Sequence, residues 1–176
     1  MSDIAKLIRT IPNYPKEGIM FRDITTLLKD PKGFQETINL LVTQYKNHKI
    51  DYVAGIEARG FILGAALAYA LGIGFIPVRK KGKLPGKTIS QNYDLEYGSD
   101  TIEIHEDALE KGAKILLIDD LIATGGTALG AIALIEKVGG IVTETAFVVD
   151  LPELGGSKKI TDKGHKVFSL CSFAGH

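Results

Sequence analysis

The apolar run ILLI ends on two adjacent carboxylates, Asp119 and Asp120, and Leu-Ile-Ala leads from them into Thr124, Gly125, Gly126 and Thr127. A strand that ends on paired acids carries a cost, because like charges side by side need compensating partners. A glycine pair entering a helix lets backbone N–H groups turn inward without Cβ clashes, and the helix start adds partial positive charge. With the threonine hydroxyls, residues 123–127 read as a phosphate cradle. Ionised carboxylates accept hydrogen bonds from hydroxyls, so the pair upstream suits a vicinal diol. A phosphate one sugar's length from a diol describes a ribose 5-phosphate. The stretch is neither a Walker loop, since no GK[ST] occurs in it, nor a G-x-G-x-x-G fingerprint.

Two further segments carry charge of the right sign. In GIEARGF, Glu57, Ala58, Arg59 and Gly60 end a strand and open a helix, which makes a second anion site of the helix start and its arginine. On its own this is equally an arginine at the surface of a helix. In RKKGKLPGK, residues Arg79, Lys80, Lys81, Lys83 and Lys87 have no acid among them. Such runs are usually solvated loops, but in a neutral chain this one marks a local positive field.

These residues need a scaffold. With 176 residues the chain is expected to form a single domain over 1–176, with 21 basic residues balanced by 21 acidic ones. Zero net charge argues against nucleic acid as a partner, no apolar run is long enough to span a membrane, and the expected location is cytoplasmic. The lone Cys171 reads as a core thiol. His48, His105, His165 and His176 have no metal-site spacing and read as surface residues. Asp3 caps an expected helix carrying Ile4, Leu7, Ile8 and Ile11. Asp30 and Pro31 open a second, with Phe34, Ile38, Leu41 and Tyr45 as its stripe. DYVAGIE, GFIPV, KILLID, IVTETAFVVD and HKVFSLCSF read as strands, and helices follow the first and third. The expected fold is α/β, a central parallel sheet of about five strands flanked by helices. Residues 79–105 read as an exposed excursion, part loop and part antiparallel hairpin.

The stretch ILLIDDLIATGGT closely resembles the phosphoribosyl-diphosphate-binding motif of the type I phosphoribosyltransferases. PNYPKEGIMFRDIT, AGIEARGFILG, VRKKGKLPG and YDLEYG are similar, in the same order, to segments of the adenine-specific branch of that family, over roughly residues 5–155. The resemblance implies transfer of the phosphoribosyl group of 5-phosphoribosyl 1-diphosphate to N9 of adenine, giving AMP and diphosphate. It assigns the sugar diphosphate to Glu57, Ala58, Gly60, Arg79, Lys80, Lys83, Tyr97, Asp119, Asp120, Ala123, Thr124, Gly125, Gly126 and Thr127. Arg59 and Glu96 become the catalytic residues, and Phe21, Arg22 and Leu151 the adenine contacts. Without the resemblance, Glu96 reads as a surface glutamate, and Phe21 and Leu151 as core. It further implies a hood from both chain ends (about 1–30 and 150–176), a lid over about 80–105, a homodimer, and Mg²⁺ held mainly through substrate oxygens. The rival readings are an enzyme for another base (hypoxanthine, xanthine or orotate), a non-catalytic sensor of the sugar diphosphate, and a generic nucleotide-binding protein. FRDI and LEYG favour adenine.

Overall fold

The computed structural model describes residues 3–95 and 98–175. The chain opens with α1 (Asp3–Leu7), a ribbon of β1 (Arg9–Pro12) and β2 (Met20–Asp23), then α2 (Thr25–Lys29) and α3 (Pro31–Tyr45). Next come β3 (Tyr52–Ile56), α4 (Arg59–Leu71), β4 (Gly74–Lys80), the hairpin β5 (Thr88–Asp94) and β6 (Ser99–His105), and β7 (Lys114–Ile122). The last elements are α5 (Gly126–Lys137), β8 (Ile141–Asp150), a 3₁₀ turn (Pro152–Leu154), α6 (Gly156–Asp162) and β9 (Val167–Ser172).

The main sheet runs β5-β6-β4-β3-β7-β8-β9. Its five strands from β4 to β9 pair in parallel, as expected, and the hairpin joins the edge through antiparallel pairing of Arg79 and Lys80 with Glu103 and Ile102. Both faces are covered, which is why β7 reads as an unbroken apolar run. Ile115 and Leu117 point into a core shared with α5 and the hairpin; Leu116 and Ile118 point into one shared with α1–α4. All four are fully buried, each stabilising by roughly 1.5–3 kcal/mol relative to exposure.

The order of these strands locates the site. From β3 the chain first steps to β4 on one side, and later places β7 on the other. The crevice between the C-terminal ends of β3 and β7 is therefore the topological switch point, where open α/β sheets bind ligands. Residues 57–60 leave β3 there, and residues 119–127 belong to the end of β7 and the turn after it. Gly60 lets α4 press onto β7: a Cβ on it would come 2.9 Å from the Ile118 carbonyl oxygen.

Several local expectations need correction. Ile11 lies in β1, not in the first helix, which ends at Leu7. Its spacing from Ile4 and Leu7 suits a helix, but pairing of Ile11 with Phe21 across the ribbon wins. The Asp30 cap holds, its carboxylate accepting from the Gly33 N–H at 2.7 Å. The buried stripe of α3, however, is Gly33, Thr37, Leu41 and Tyr45, while Phe34 and Ile38 are only partly buried. The expected strand HKVFSLCSF does form, as β9 of the main sheet. Cys171 is partly exposed rather than core, its thiol donating to the Val148 carbonyl at 3.4 Å and raised by burial to about 11. His105 and His165 are half-buried, each with a ring nitrogen at a backbone carbonyl (Pro85 and Val142); His48 is exposed and 3.1 Å from Glu144. His176 lies outside the described residues.

The ribbon is pinned by Asp23. Burial alone would raise its carboxyl, but the Thr25 hydroxyl (2.7 Å), the Thr25 N–H (2.9 Å) and Arg9 (Nε at 2.9 Å) outweigh that and lower it to about 2. A depressed carboxyl stabilises the fold above its unfolded value, near 3.8, and loses that contribution as pH falls through about 2. Asp23→Asn is therefore expected to melt below the wild type at pH 7 and level with it near pH 2. A melting-temperature gap that stays constant between those pH values would remove Asp23 as an acid-sensitive clamp.

Candidate active site

Asp119 and Asp120 lie within β7, which runs on to Ile122, so the pair belongs to the strand's rim end rather than to the turn after it. Strand alternation sends them to opposite sides. Asp120 is 7 % exposed, and its carboxylate receives the Arg59 Nε at 2.5 Å. Asp119 folds back to accept the Asp120 backbone N–H at 2.8 Å. Burial and the neighbouring Asp120 charge push the Asp119 carboxyl well above the usual carboxylate range, with only partial relief from Arg59. The two acids are thus unequal: Asp120 is paired, and Asp119 is the one whose charge is resisted.

Arg59 stands at the first position of α4 and faces three carboxylates. Burial pulls its guanidinium down, but Asp120, Asp119 and Asp23 outweigh this and raise it further. Its Cζ also lies 6.0 Å from the centre of the Phe21 ring. Arg59 therefore bridges the β7 rim and the N-terminal ribbon, a placement that the sequence reading, which gave it an anion site and by resemblance a catalytic role, did not contain. The Glu57–Ala58 peptide leading into it is cis.

Glu57 organises the end of β4. One carboxylate oxygen accepts the Lys80 N–H at 2.7 Å and lies 3.3 Å from the Arg79 Nε. The Arg79 guanidinium also sits 5.5 Å from the centre of the Phe61 ring. The Lys80 ammonium is 3.7 Å from Asp100 on β6. Arg79 and Lys80 are thus brought to the rim, already facing acids that the sequence separates widely from them. Lys83 sits in the exposed turn after β4, its N–H donating to the Lys80 carbonyl at 3.3 Å.

The turn after β7 has the expected form. Gly125 takes a left-handed conformation (φ 90°) as the residue before α5, and Gly126 begins the helix. Residues 119 and 121–128 line a cavity of about 130 Å³, the size of a small anion. Beside it lies a second cavity of about 310 Å³ and mostly apolar, formed by Ile19, Met20, Phe21 and Arg22 of the ribbon, Leu121, Ala123 and Thr124 of the β7 turn, and Leu151 and Leu154. Leu121, Ala123 and Thr124 line both, so the two cavities adjoin along the end of β7 and its turn. Phe21 and Leu151 both line this second cavity, Leu151 from the buried core. The Arg22 guanidinium is taken up elsewhere, with Nη1 donating to Thr10 at 2.6 Å and Cζ over Phe173 at 4.5 Å. Ile19, Met20, Leu121 and Leu154 also line that cavity and were missed by the sequence reading; only Leu154, an apolar residue just past a rim strand, carried a local signal. Glu96 and Tyr97 lie outside the described residues; Asp94, two positions earlier, has its carbonyl directly over Gly126.

The phosphoribosyl transferase domain model matches residues 23–170. The adenine phosphoribosyltransferase of Chlorobium luteolum is 65% identical over 174 residues, covering 98% of both chains. The chain belongs to the adenine phosphoribosyltransferase family. A crystal structure of the family's enzyme from Thermoanaerobacter pseudethanolicus superimposes with a TM-score of 0.93 at 48% identity, over 97% of this chain and 98% of that one. The Saccharomyces cerevisiae adenine phosphoribosyltransferase, solved with an imino-altritol bisphosphate and adenine, gives a TM-score of 0.87 at 40% identity, over 97% and 99%. Family membership makes this phosphoribosyltransferase fold the expected α/β sheet with its switch-point crevice, and the rivals without transferase chemistry drop away.

Proposed function

We propose that the two adjoining cavities divide the substrates of the family's reaction, with the sugar phosphate on the β7 turn and adenine between the ribbon and residues 151–154. As a member of the family the chain is an enzyme that transfers the phosphoribosyl group of 5-phosphoribosyl 1-diphosphate to N9 of adenine, releasing AMP and diphosphate and recovering the free purine. The observation that carries the division is the sharing of Leu121, Ala123 and Thr124 by both cavities.

In this reading the N–H groups of residues 123–127 hold the 5-phosphate, and Asp119 and Asp120 accept hydrogen bonds from the ribose hydroxyls. The bond from C1 to diphosphate breaks with oxocarbenium character, so the chief task is to neutralise charge growing on the leaving group. Arg59, Arg79 and Lys80 do this from the rim, with Glu57, Ala58 and Gly60 shaping the loop, and Lys83 and Tyr97 arriving from the excursion. Phe21 and Leu151 sandwich the base while backbone groups near Arg22 read its edge.

No cluster of three or more metal-ligating side chains exists among the described residues. Mg²⁺ commonly uses one or two carboxylates together with substrate oxygens and keeps several waters. The carboxylate pair at the rim fits that donor set, and Mg²⁺ bound there with the substrate would offset the negative charge of the diphosphate. The proposal includes a homodimer, supported by the apolar outer face of α4, where Ile62 is 45% and Tyr69 89% exposed. It includes a cytoplasmic location, since charged phosphoesters do not cross a bilayer unaided.

The test is direct. The purified protein is incubated with 5-phosphoribosyl 1-diphosphate, Mg²⁺ and adenine, hypoxanthine, guanine, xanthine or orotate in turn, and products are read by mass spectrometry. AMP from adenine alone is expected; a different nucleotide overturns the base pocket. Glu96 would manage the purine proton, so Glu96→Ala is expected to lower kcat by about 10²–10⁴-fold with little change in KM, the usual span for general acid–base catalysis. A near-normal kcat would take Glu96 out of the mechanism.

A further inference from the structure

We propose that Gly156 is a positioning residue for the phosphate cradle: the segment 151–156 holds the β7 turn in its binding shape from behind, and only glycine at 156 permits the contact. The proposal rests on the reading of residues 123–127 as the 5-phosphate site. Three observations carry it. The Gly156 N–H donates to the Ala123 carbonyl at 2.9 Å, and the Leu151 N–H donates to the Ile122 carbonyl at 3.0 Å, so the segment is laced to the turn at both ends. A Cβ on Gly156 would come 2.5 Å from the Ala123 carbonyl oxygen, 2.7 Å from the Gly125 nitrogen and 3.0 Å from the Gly125 Cα. Reciprocally, a Cβ on Gly125 would come 2.9 Å from the Gly156 Cα. All of these neighbours are backbone, so a methyl at either position has to displace the cradle itself.

The segment also forms a wall of the base cavity through Leu151 and Leu154. The base pocket and the phosphate cradle are therefore built on one piece of chain. Neighbouring Gly155 separates the two roles a glycine here could have. It sits at φ 83°, where a side chain is strained, yet a Cβ on it meets nothing within 4 Å. Gly155→Ala disturbs the turn's own stability, whereas Gly156→Ala presses on the cradle.

Calorimetric binding of 5-phosphoribosyl 1-diphosphate with Mg²⁺ and of ribose 5-phosphate, together with steady-state kinetics and melting, would be compared for wild type, Gly155→Ala and Gly156→Ala. Gly156→Ala is expected to weaken both ligands about tenfold, ~1.4 kcal/mol, and to raise KM for the sugar diphosphate more than it lowers kcat. Gly155→Ala is expected to lower the melting temperature with affinity nearly unchanged. Equal affinity loss in both variants, or loss in neither, overturns the proposal. If Gly156→Ala does not fold, hydrogen exchange on the wild type decides. Saturating ribose 5-phosphate is expected to slow exchange at the amides of residues 124–127 and also at Gly156. Protection of 124–127 without Gly156 overturns the positioning role alone; no protection at 124–127 overturns the phosphate site beneath it.

Discussion

Gly126→Val is expected to weaken binding of 5-phosphoribosyl 1-diphosphate by about 100-fold while leaving most of the fold intact. The residue opens α5 and lines the small cavity proposed above for the 5-phosphate. A Cβ there would overlap the carbonyl oxygen of Asp94, the last residue of β5. The hairpin rests on the same helix again at Gly130, where a Cβ would lie 2.7 Å from that of Tyr93. Valine therefore has to push the hairpin end away or drag the helix start out of line. Either movement misaligns N–H groups whose value lies in their fixed aim, and a loss of about 100-fold, ~2.7 kcal/mol, is expected. The overpacking itself costs about 1–3 kcal/mol of stability, so circular dichroism and melting must accompany calorimetry. Folded protein with unchanged affinity would show that the turn is not the substrate's anchor.

The same crowding explains what the sequence disclosed and what it hid. β7, its paired acids and the glycine turn were legible because burial on both faces, rim position and left-handed backbone each demand particular residue types locally. α4 was legible as the helix after the first strand, and it closes on Gly72, left-handed at φ 72°. Contacts made by distant chain were not legible. Arg59 gave no sign that its nearest charge would be Asp120, 61 positions later. Glu57 gave no sign that it would cap the backbone of Lys80. Short elements failed too: α2 has five residues and α6 seven, too few for a periodic pattern, and both are held by tertiary packing of Leu27 and Ile160. The proposed role of Glu96 was carried by family resemblance alone, because a lone glutamate beside an aromatic residue has no distinguishing mark in the sequence.

The inequality of the two rim acids leads to an outcome opposite in sign for stability and for function. Asp119→Asn is expected to melt higher than the wild type at pH 8 and to lose binding of the sugar diphosphate. In the free protein, burial and the Asp120 charge raise the Asp119 carboxyl above its unfolded value, so the fold favours the protonated form. Such a group is harmless at low pH and withdraws stability as pH climbs through its folded value. Asparagine never ionises, and its side-chain oxygen can still accept the Asp120 N–H. The gain should therefore be near zero at pH 4 and grow towards pH 8; each 1 kcal/mol gained would appear as a rise of about 2–4 °C for a chain of this size. The ribose hydroxyls then lose an anionic acceptor, and affinity falls by about tenfold or more, ~1.4 kcal/mol. Asp120→Asn should behave differently, losing stability as well as affinity, because it strips Arg59 of the carboxylate at 2.5 Å. Melting curves at pH 4, 6 and 8 for both variants, with calorimetry at pH 8, separate the two acids. An Asp119→Asn protein less stable than the wild type at pH 8 would mean that the strained charge is not where the geometry puts it. The strain is a functional one on this view: the site holds a carboxylate that its own fold resists, and the hydroxyls and cation of the bound substrate relieve it.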